Sequence, residues 1–393
     1  MPRYIILGAG RQGRALAVFL ARNQNAEISL VDRDHVQVRE AHREIKDLSR
    51  FFPDGKFSFH ITNVSDPSFL RKLIRGHDVC ISALPHQLNL GATKAAIAEG
   101  VHFCDYGFDT KIIEAQLALG HEAMNAGVTI VPNNGIAPGL SNILAWQVAQ
   151  EIDCDAVKVY VGGLSQTRPK NAAVYEETFG NLLEEYVGTQ PILQEGELVN
   201  VPVPSRLERL KIAGFAHPFE AFLTNSATLS VATRFKDGGK VRTFWEKTIR
   251  YNGHYKVVSA FRELGFLSKR RMYLRGANQE SIVPFELATE LFSRILPKCK
   301  SDMLIFQILF EKERRLARKI LIVIRSDPAS GLSAMQIATS IPVAVVAEAL
   351  AAKKMTPGAS LPEFWINHRD VMAEFKKICA KFFDPGLVSF EGI

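Results

Sequence analysis

The feature that most restricts this chain is a glycine-rich run, Gly8-Ala9-Gly10-Arg11-Gln12-Gly13, which follows an apolar stretch, Tyr4 to Leu7, with no spacer and leads into a helical pattern. In a strand-turn-helix context the first glycine permits the tight turn, the second lets a diphosphate approach the backbone, and the third lets helix and strand pack closely. Amides at the start of the helix then face the phosphates. Nineteen residues after Gly13 stands Asp32, at the end of the next apolar run. Its carboxylate suits the ribose hydroxyls of NAD and repels a 2′-phosphate, whereas the neighbouring Arg33 suits either adenine stacking or that phosphate. NAD is therefore the expected cofactor, with NADP as the alternative.

Residues 4 to 131 alternate short β-rich runs with segments of helical period, the rhythm of a parallel sheet covered on both faces. The expected strands are Tyr4 to Leu7, Glu27 to Val31, Phe57 to Ile61, Asp78 to Ala83, Val101 to Cys104 and Val128 to Val131. Between them Val38, Ala41, Ile45 and Leu48 step along one helix face, and Ser65-Asp66-Pro67 reads as a helix cap. The pattern breaks at Pro132 to Asn142, ahead of a helix beginning near Ser141. Beyond it Val157 to Val161, and Met303 to Phe310 paired with Ala317 to Arg325 across a charged turn, point to a mixed sheet built on hairpins. After Asp327 a stripe of Met335, Ala338, Val345, Val346, Ala349 and Leu350 marks a buried helix, and Asp370 to Phe382 another. The expected fold class is α/β, with a Rossmann doubly wound sheet over 1–140, a mixed α/β domain over 141–330 and a helical segment over 331–393.

Composition excludes several classes. Of 393 residues 47% are apolar and 23% charged, values of a globular chain, and 48 Lys and Arg against 41 Asp and Glu leave a net charge of +7 without a basic arm. The clusters Lys269-Arg270-Arg271 and Lys312 to Lys319 lack interleaved aromatics, so no nucleic-acid partner is expected. Five cysteines show neither a C-x-x-C pair nor histidines at metal-ligand spacing, and no metal is expected. A strand starting at Tyr4 leaves no room for a signal peptide. The apolar runs, Pro342 to Ala352 among them, fall short of the ~20 residues that span a bilayer. Cytoplasmic residence without a membrane partner is the expectation.

In open α/β sheets the loops after the strands line the ligand crevice. This nominates Asn63 and Val64, Ala83-Leu84-Pro85-His86, and Asp105-Tyr106-Gly107. Asp105 is either a carboxylate beside the reacting ring or a turn cap. His86 is either an acid/base group or a loop residue.

Longer segments resemble the saccharopine dehydrogenase family. They are the glycine run, Asp78 to Leu84 with Asn89, Ala126 to Ile130, Gly135-Ile-Ala-Pro-Gly139 with Asn142, Tyr160-Val-Gly-Gly163, Glu220-Ala-Phe222 and Lys247-Thr-Ile-Arg-Tyr-Asn-Gly-His254. The resemblance implies hydride transfer between a nicotinamide and a carbon bonded to nitrogen, most nearly oxidative deamination of the lysine 6-dehydrogenase type. It also implies a second domain that binds substrate and dimerises, C-terminal helices packing back on the first domain, and a homodimer or higher homo-oligomer acting on an amino acid or polyamine-like substrate. An imine-reducing condensing enzyme of the saccharopine reductase or carboxynorspermidine synthase type is the alternative. A catalytically silent dinucleotide-binding protein is a third reading, kept open by Ile337, where the family's tail carries arginine, and by Asn63, where an acid is expected. The candidates for handling the amine are Asp105 and His254, with Tyr251 for orientation. Arg250 is the candidate for a substrate carboxylate, with Lys247, His86 and Asn89 as further substrate contacts. By alternation alone, Lys247 to His254 is instead a strand with exposed Lys247, Ile249 and Tyr251 on one side and Thr248 and Arg250 on the other.

Overall fold

The structure of the protein is a computed structural model that describes residues 1–22, 26–48, 55–169, 183–226, 228–273, 281–296, 299, 301–352 and 356–392. The chain divides into two compact units, Met1–Glu151 with Asp327–Val388, and Ile152–Ser326 with Ser389–Ile393.

The first unit opens with strand β1 (Arg3–Leu7), helix α1 (Arg11–Ala21), β2 (Glu27–Asp32), α2 (His35–Leu48), β3 (Lys56–Ile61), α3 (Pro67–Ile74), β4 (Val79–Ser82), α4 (Asn89–Ala98), β5 (His102–Asp105), α5 (Thr110–Leu117), α6 (Gly120–Asn125), β6 (Thr129–Val131) and α7 (Ser141–Glu151). The strands lie in the order β3-β2-β1-β4-β5-β6, all parallel. Parallel strands covered on both faces read as unbroken apolar runs, which is why Tyr4 to Leu7 and Val79 to Ser82 are buried throughout. Asp66 caps α3 by accepting from the Ser68 and Phe69 amides. Strand order reverses between β1 and β4, and there the Ala83 N–H donates to the Leu7 carbonyl at 2.7 Å, so the glycine run and the loop after β4 share one end of the sheet.

The second unit contains β7 (Ala156–Ser165), β8 (Thr189–Gln194), β9 (Glu197–Pro202), β10 (Ser205–Leu210), β11 (Phe219–Leu223), α8 (Leu229–Gly238), β12 (Thr243–Arg250), α9 (His254–Glu263), β13 (Met272–Tyr273), β14 (Ser281–Ile282), α10 (Pro284–Ile295), β15 (Asp302–Lys312) and β16 (Arg315–Arg325). Its main sheet runs β10-β11-β12-β7-β15-β16, with β12 parallel to β7 and the other neighbouring pairs of this run antiparallel. The charged turn expected at Glu311 to Leu316 shrinks to Glu313 and Arg314, both at positive φ, because the two-residue turn matches the twist of the hairpin and lets both strands extend.

The chain then returns to the first unit through α11 (Ala334–Ala351), β17 (Gly358–Ala359, parallel to β6), α12 (Pro362–Trp365) and α13 (His368–Phe382), before β18 (Val388–Glu391) pairs with β16. A capping box starts α11: the Ser333 hydroxyl accepts from the Gln336 amide, and the Gln336 side chain accepts from the Ser333 amide. The stripe from Met335 to Leu350 forms one helix, α11, which passes through Pro342 and is long and apolar enough to cross a membrane by length and composition. Yet 72% of it is buried, the environment of a core helix. Helix α7, expected at the start of the second domain, is counted with the first unit because the Gln147 amide donates to the Glu363 and Ile366 carbonyls and its oxygen accepts from the His368 N–H.

Candidate functional site

The three glycines are needed for different reasons. Gly8 has φ +103°, and a Cβ there would lie 2.6 Å from the Ala83 carbonyl oxygen; a Cβ on Gly13 would lie 1.9 Å from the Gly8 oxygen. Turn and packing thus exclude a side chain at both. Gly10 is different: among the described residues nothing lies within 4 Å of where its Cβ would be, and its backbone is in the ordinary extended region. As N-cap of α1 it carries no side chain to satisfy the first-turn amides, so the helix begins with uncapped N–H groups beside an open backbone. A diphosphate fits those two conditions.

Around this loop, Asp32 accepts from the Ala9 amide at 2.9 Å on one oxygen and from the Asp34 amide at 3.0 Å on the other. The acid therefore pins the glycine loop to the end of β2, and Arg33 beside it is exposed. Gln12 turns its side chain to α11, where its Oε1 accepts from the Ser340 hydroxyl at 2.8 Å, leaving only its backbone as a phosphate contact. Arg11 is exposed; Asn63 closes its own turn by accepting from the Ser65 amide, while Val64 packs into the sheet core. Ala83 and Leu84 are half-buried and Pro85 exposed at the mouth of the loop after β4. His86 is half-exposed there, with its ring 5.2 Å from that of Phe108.

Asp105 is enclosed. It is 0% exposed, one oxygen accepting from the Gly107 and Asn133 amides (2.8 and 3.1 Å) and the other from the Gln116 side chain at 2.7 Å. Burial raises its carboxyl, and those three donors pull the other way. Its role as an amine-handling carboxylate is corrected accordingly: it organises the loops after β5 and β6. Asn89 is also enclosed, its side-chain oxygen accepting from the Ser82 hydroxyl at 2.7 Å. Replacing Asp105 with alanine orphans two backbone donors and one side-chain donor, and at about 1–3 kcal/mol per buried unpaired group the expected loss is at least about 3 kcal/mol of stability in urea unfolding. Asp105→Asn, which keeps one acceptor, loses less; a loss under about 1 kcal/mol for the alanine variant would contradict this assignment.

In the second unit β12 is buried from Phe244 to Arg250, on both faces, and the expected alternating exposure of Lys247 to Arg250 does not occur. Alternation instead divides the motif between two interiors. Lys247 and Tyr251 share the side of Trp245 and Ile249. There Lys247 pairs with Glu208 at 2.8 Å and lies over the Trp245 ring, and Tyr251 donates to the Ser165 carbonyl at 2.7 Å. Burial lowers the Lys247 ammonium and raises the Tyr251 phenol. Arg250 lies on the other side with His254. Its Nε donates to the Tyr186 hydroxyl at 3.2 Å, one Nη to the Ile249 carbonyl at 3.0 Å, and the other pairs with Glu185 at 3.2 Å.

The Tyr186 oxygen is also 2.9 Å from His254 Nε2. With the Arg250 N–H already directed at that oxygen and no third partner among the described residues, the phenol proton goes to His254 Nε2. Burial pushes the phenol up to about 12, which keeps that proton in place. His254 is 2% exposed and packs on Phe222, so its expected part as an amine base is corrected to an internal acceptor. Glu220 holds the start of α9 by accepting from the Gly253 and Tyr255 amides. Of the motif, the fold thus joins Arg250 to His254 and separates both from Lys247 and Tyr251. Sequence reasoning missed Glu185 and Tyr186, which lie some 65 residues from their partners with no local spacing to mark them.

Residues 4–131 match the family model for the saccharopine dehydrogenase NADP binding domain, and residues 135–380 that for the saccharopine dehydrogenase C-terminal domain. Saccharopine dehydrogenase (NADP(+), L-glutamate-forming) of Schizosaccharomyces pombe is 24% identical over 68% of this chain and 59% of its own length. The mitochondrial alpha-aminoadipic semialdehyde synthase of Mus musculus is 23% identical over 68% of this chain and 28% of its own. The chain therefore spans less than two thirds of either relative. The apo saccharopine dehydrogenase (L-Glu forming) of Saccharomyces cerevisiae shares the fold, with a TM-score of 0.75 over all of both chains at 16% identity. With both of its halves matched by the two domain models in order, the chain belongs to the saccharopine dehydrogenase family.

Proposed function

We propose that this protein is an oxidoreductase that moves hydride between a nicotinamide dinucleotide and the nitrogen-bearing carbon of an amino acid, by oxidative deamination of the lysine 6-dehydrogenase type. The observation that carries the reading is the bare Gly10 backbone beside the uncapped start of α1, in a chain of this family. The dinucleotide, when bound, supplies the hydride acceptor. The chain's own residues do the rest. The glycine loop holds the diphosphate, and Arg250 takes the substrate carboxylate. With Asp105 and His254 enclosed, half-exposed His86 is the proposed proton acceptor.

The preference for NAD drawn from Asp32 gives way to NADP in this proposal. Both Asp32 oxygens already hold loop amides, exposed Arg33 offers a cation for a 2′-phosphate, the family model over residues 4–131 is described as NADP-binding, and the S. pombe relative is named for NADP(+). Arg33→Ala is expected to raise KM for NADP about tenfold and to change KM for NAD by less than about twofold. Equal shifts for the two coenzymes would remove Arg33 from the phosphate site.

The names of the S. pombe and mouse relatives favour a second reading, reduction of an imine formed between an aldehyde and an amine. Coenzyme reduction followed against lysine, saccharopine, diaminopimelate and polyamines, with both coenzymes, separates them. Turnover of lysine supports deamination, and turnover of saccharopine alone supports the second reading. Silence across the panel with coenzyme still bound leaves a non-catalytic dinucleotide-binding protein.

A further inference from the structure

Building on the amino-acid substrate just proposed, we infer that Glu185 is a specificity-determining residue that receives the α-ammonium of the substrate while Arg250 takes its α-carboxylate. Glu185 has helical backbone just before Tyr186, and its carbonyl accepts from the Asn225 amide at 2.7 Å, which fixes its place in the second unit. The cluster is closed at one end by Tyr186, Phe222 and His254, all 2% exposed or less. At the other end the Glu185 side chain is 37% exposed, against 9% for that of Arg250; packing around it still raises its carboxyl, and Arg250 pulls the other way. One Glu185 oxygen accepts from Arg250 at 3.2 Å, and the other has no partner among the described residues.

A pair placed only to stabilise the fold gains most when both oxygens and both guanidinium nitrogens meet in parallel. Here a single contact leaves an anionic acceptor toward the open end, next to a cation whose position is set from behind by Tyr186 and the Ile249 carbonyl. An α-amino acid carries an ammonium and a carboxylate on one carbon, and Glu185 beside Arg250 presents the matching charges side by side. The same pair discriminates against the alternatives. A polyamine brings a second cation to Arg250, and a carboxylate without an amine meets the charge of Glu185 with nothing to offset it.

The test is calorimetric titration of the full chain, without coenzyme, using lysine and 6-aminohexanoate, the same carbon chain without its α-amino group. Glu185→Gln keeps an oxygen for Arg250 and loses the charge. It is expected to weaken lysine about 10- to 100-fold and to leave 6-aminohexanoate unchanged or slightly tighter, with Glu185→Asp between wild type and Glu185→Gln for lysine. Equal weakening of both ligands, or undiminished lysine binding, overturns the assignment. Should the variants not fold, Nα-acetyl-lysine on the wild-type chain decides the question: about tenfold weaker binding than lysine supports the role of Glu185, and equal binding overturns it. Binding is read apart from turnover, so lysine that binds but is never oxidised removes the proposed reaction and leaves Glu185 in place. Lysine oxidised with an unchanged KM by Glu185→Gln does the reverse.

Discussion

Gly10→Ala leaves the fold standing and costs the protein its coenzyme. The backbone there is extended, with φ −67° and ψ −175°, a conformation any residue adopts, and the space for a methyl group is open. Alanine is a poorer N-cap than glycine, so about 1 kcal/mol of stability is lost and no more. The methyl group then occupies the approach that lets phosphate oxygens reach the first-turn amides of α1, and a loss of about 3 kcal/mol of binding corresponds to more than a hundredfold in affinity. Gly13→Ala makes the contrast. Its Cβ would sit 1.9 Å from the Gly8 carbonyl oxygen, and because the obstacle is backbone the loop itself has to move, with an expected loss above about 3 kcal/mol of stability. Thermal unfolding and fluorescence titration with NADP and NAD, run on both variants, read the two effects separately. Wild-type coenzyme affinity in a folded Gly10→Ala chain would sink the assignment of the glycine loop as the diphosphate cradle.

What the sequence disclosed follows from which interactions are local. The first sheet was legible because parallel strands covered on both sides read as unbroken apolar runs, and the cap at Asp66 because it is made within three residues. Strand β12 was legible as a strand but not in its environment. Alternation assumes one wet face, and β12 is covered on both. Lys247 and Arg250 tolerate that interior because Glu208 and Glu185 meet them there, 39 and 65 residues away along the chain, a distance that no motif spacing records. Asp105 shows the complementary limit. A carboxylate after a buried strand suits catalysis and loop capping equally well by residue type, and only the amides of Gly107 and Asn133 closing on one oxygen decide for the second. The same holds for Asp32, whose acceptor role toward Ala9 is invisible until the glycine loop is folded over it.

If a primary amine is the group oxidised, kcat/KM for lysine climbs steeply between pH 7 and 10. An alkylammonium has a pKa of about 10.4, so at pH 7 freeing its lone pair costs about 4.6 kcal/mol, and only the free amine donates electrons to the carbon losing hydride. The expected slope is about tenfold per pH unit, close to a thousandfold across the range. The fold does not flatten the climb. Burial lowers Lys247, so the unfolded chain holds more protons there, and stability from this group rises with pH between its folded and ordinary values. Tyr186 has the opposite sign. Its phenol, ordinarily at 10.0, is held up to about 12, and its contribution to stability is lost as pH rises through that window, which sets pH 10 as the upper end of the assay. Lysine turnover that is flat from pH 7 to 10, with coenzyme saturating throughout, would mean that free substrate amine is not what the enzyme selects, and the deamination reading would give way to imine reduction.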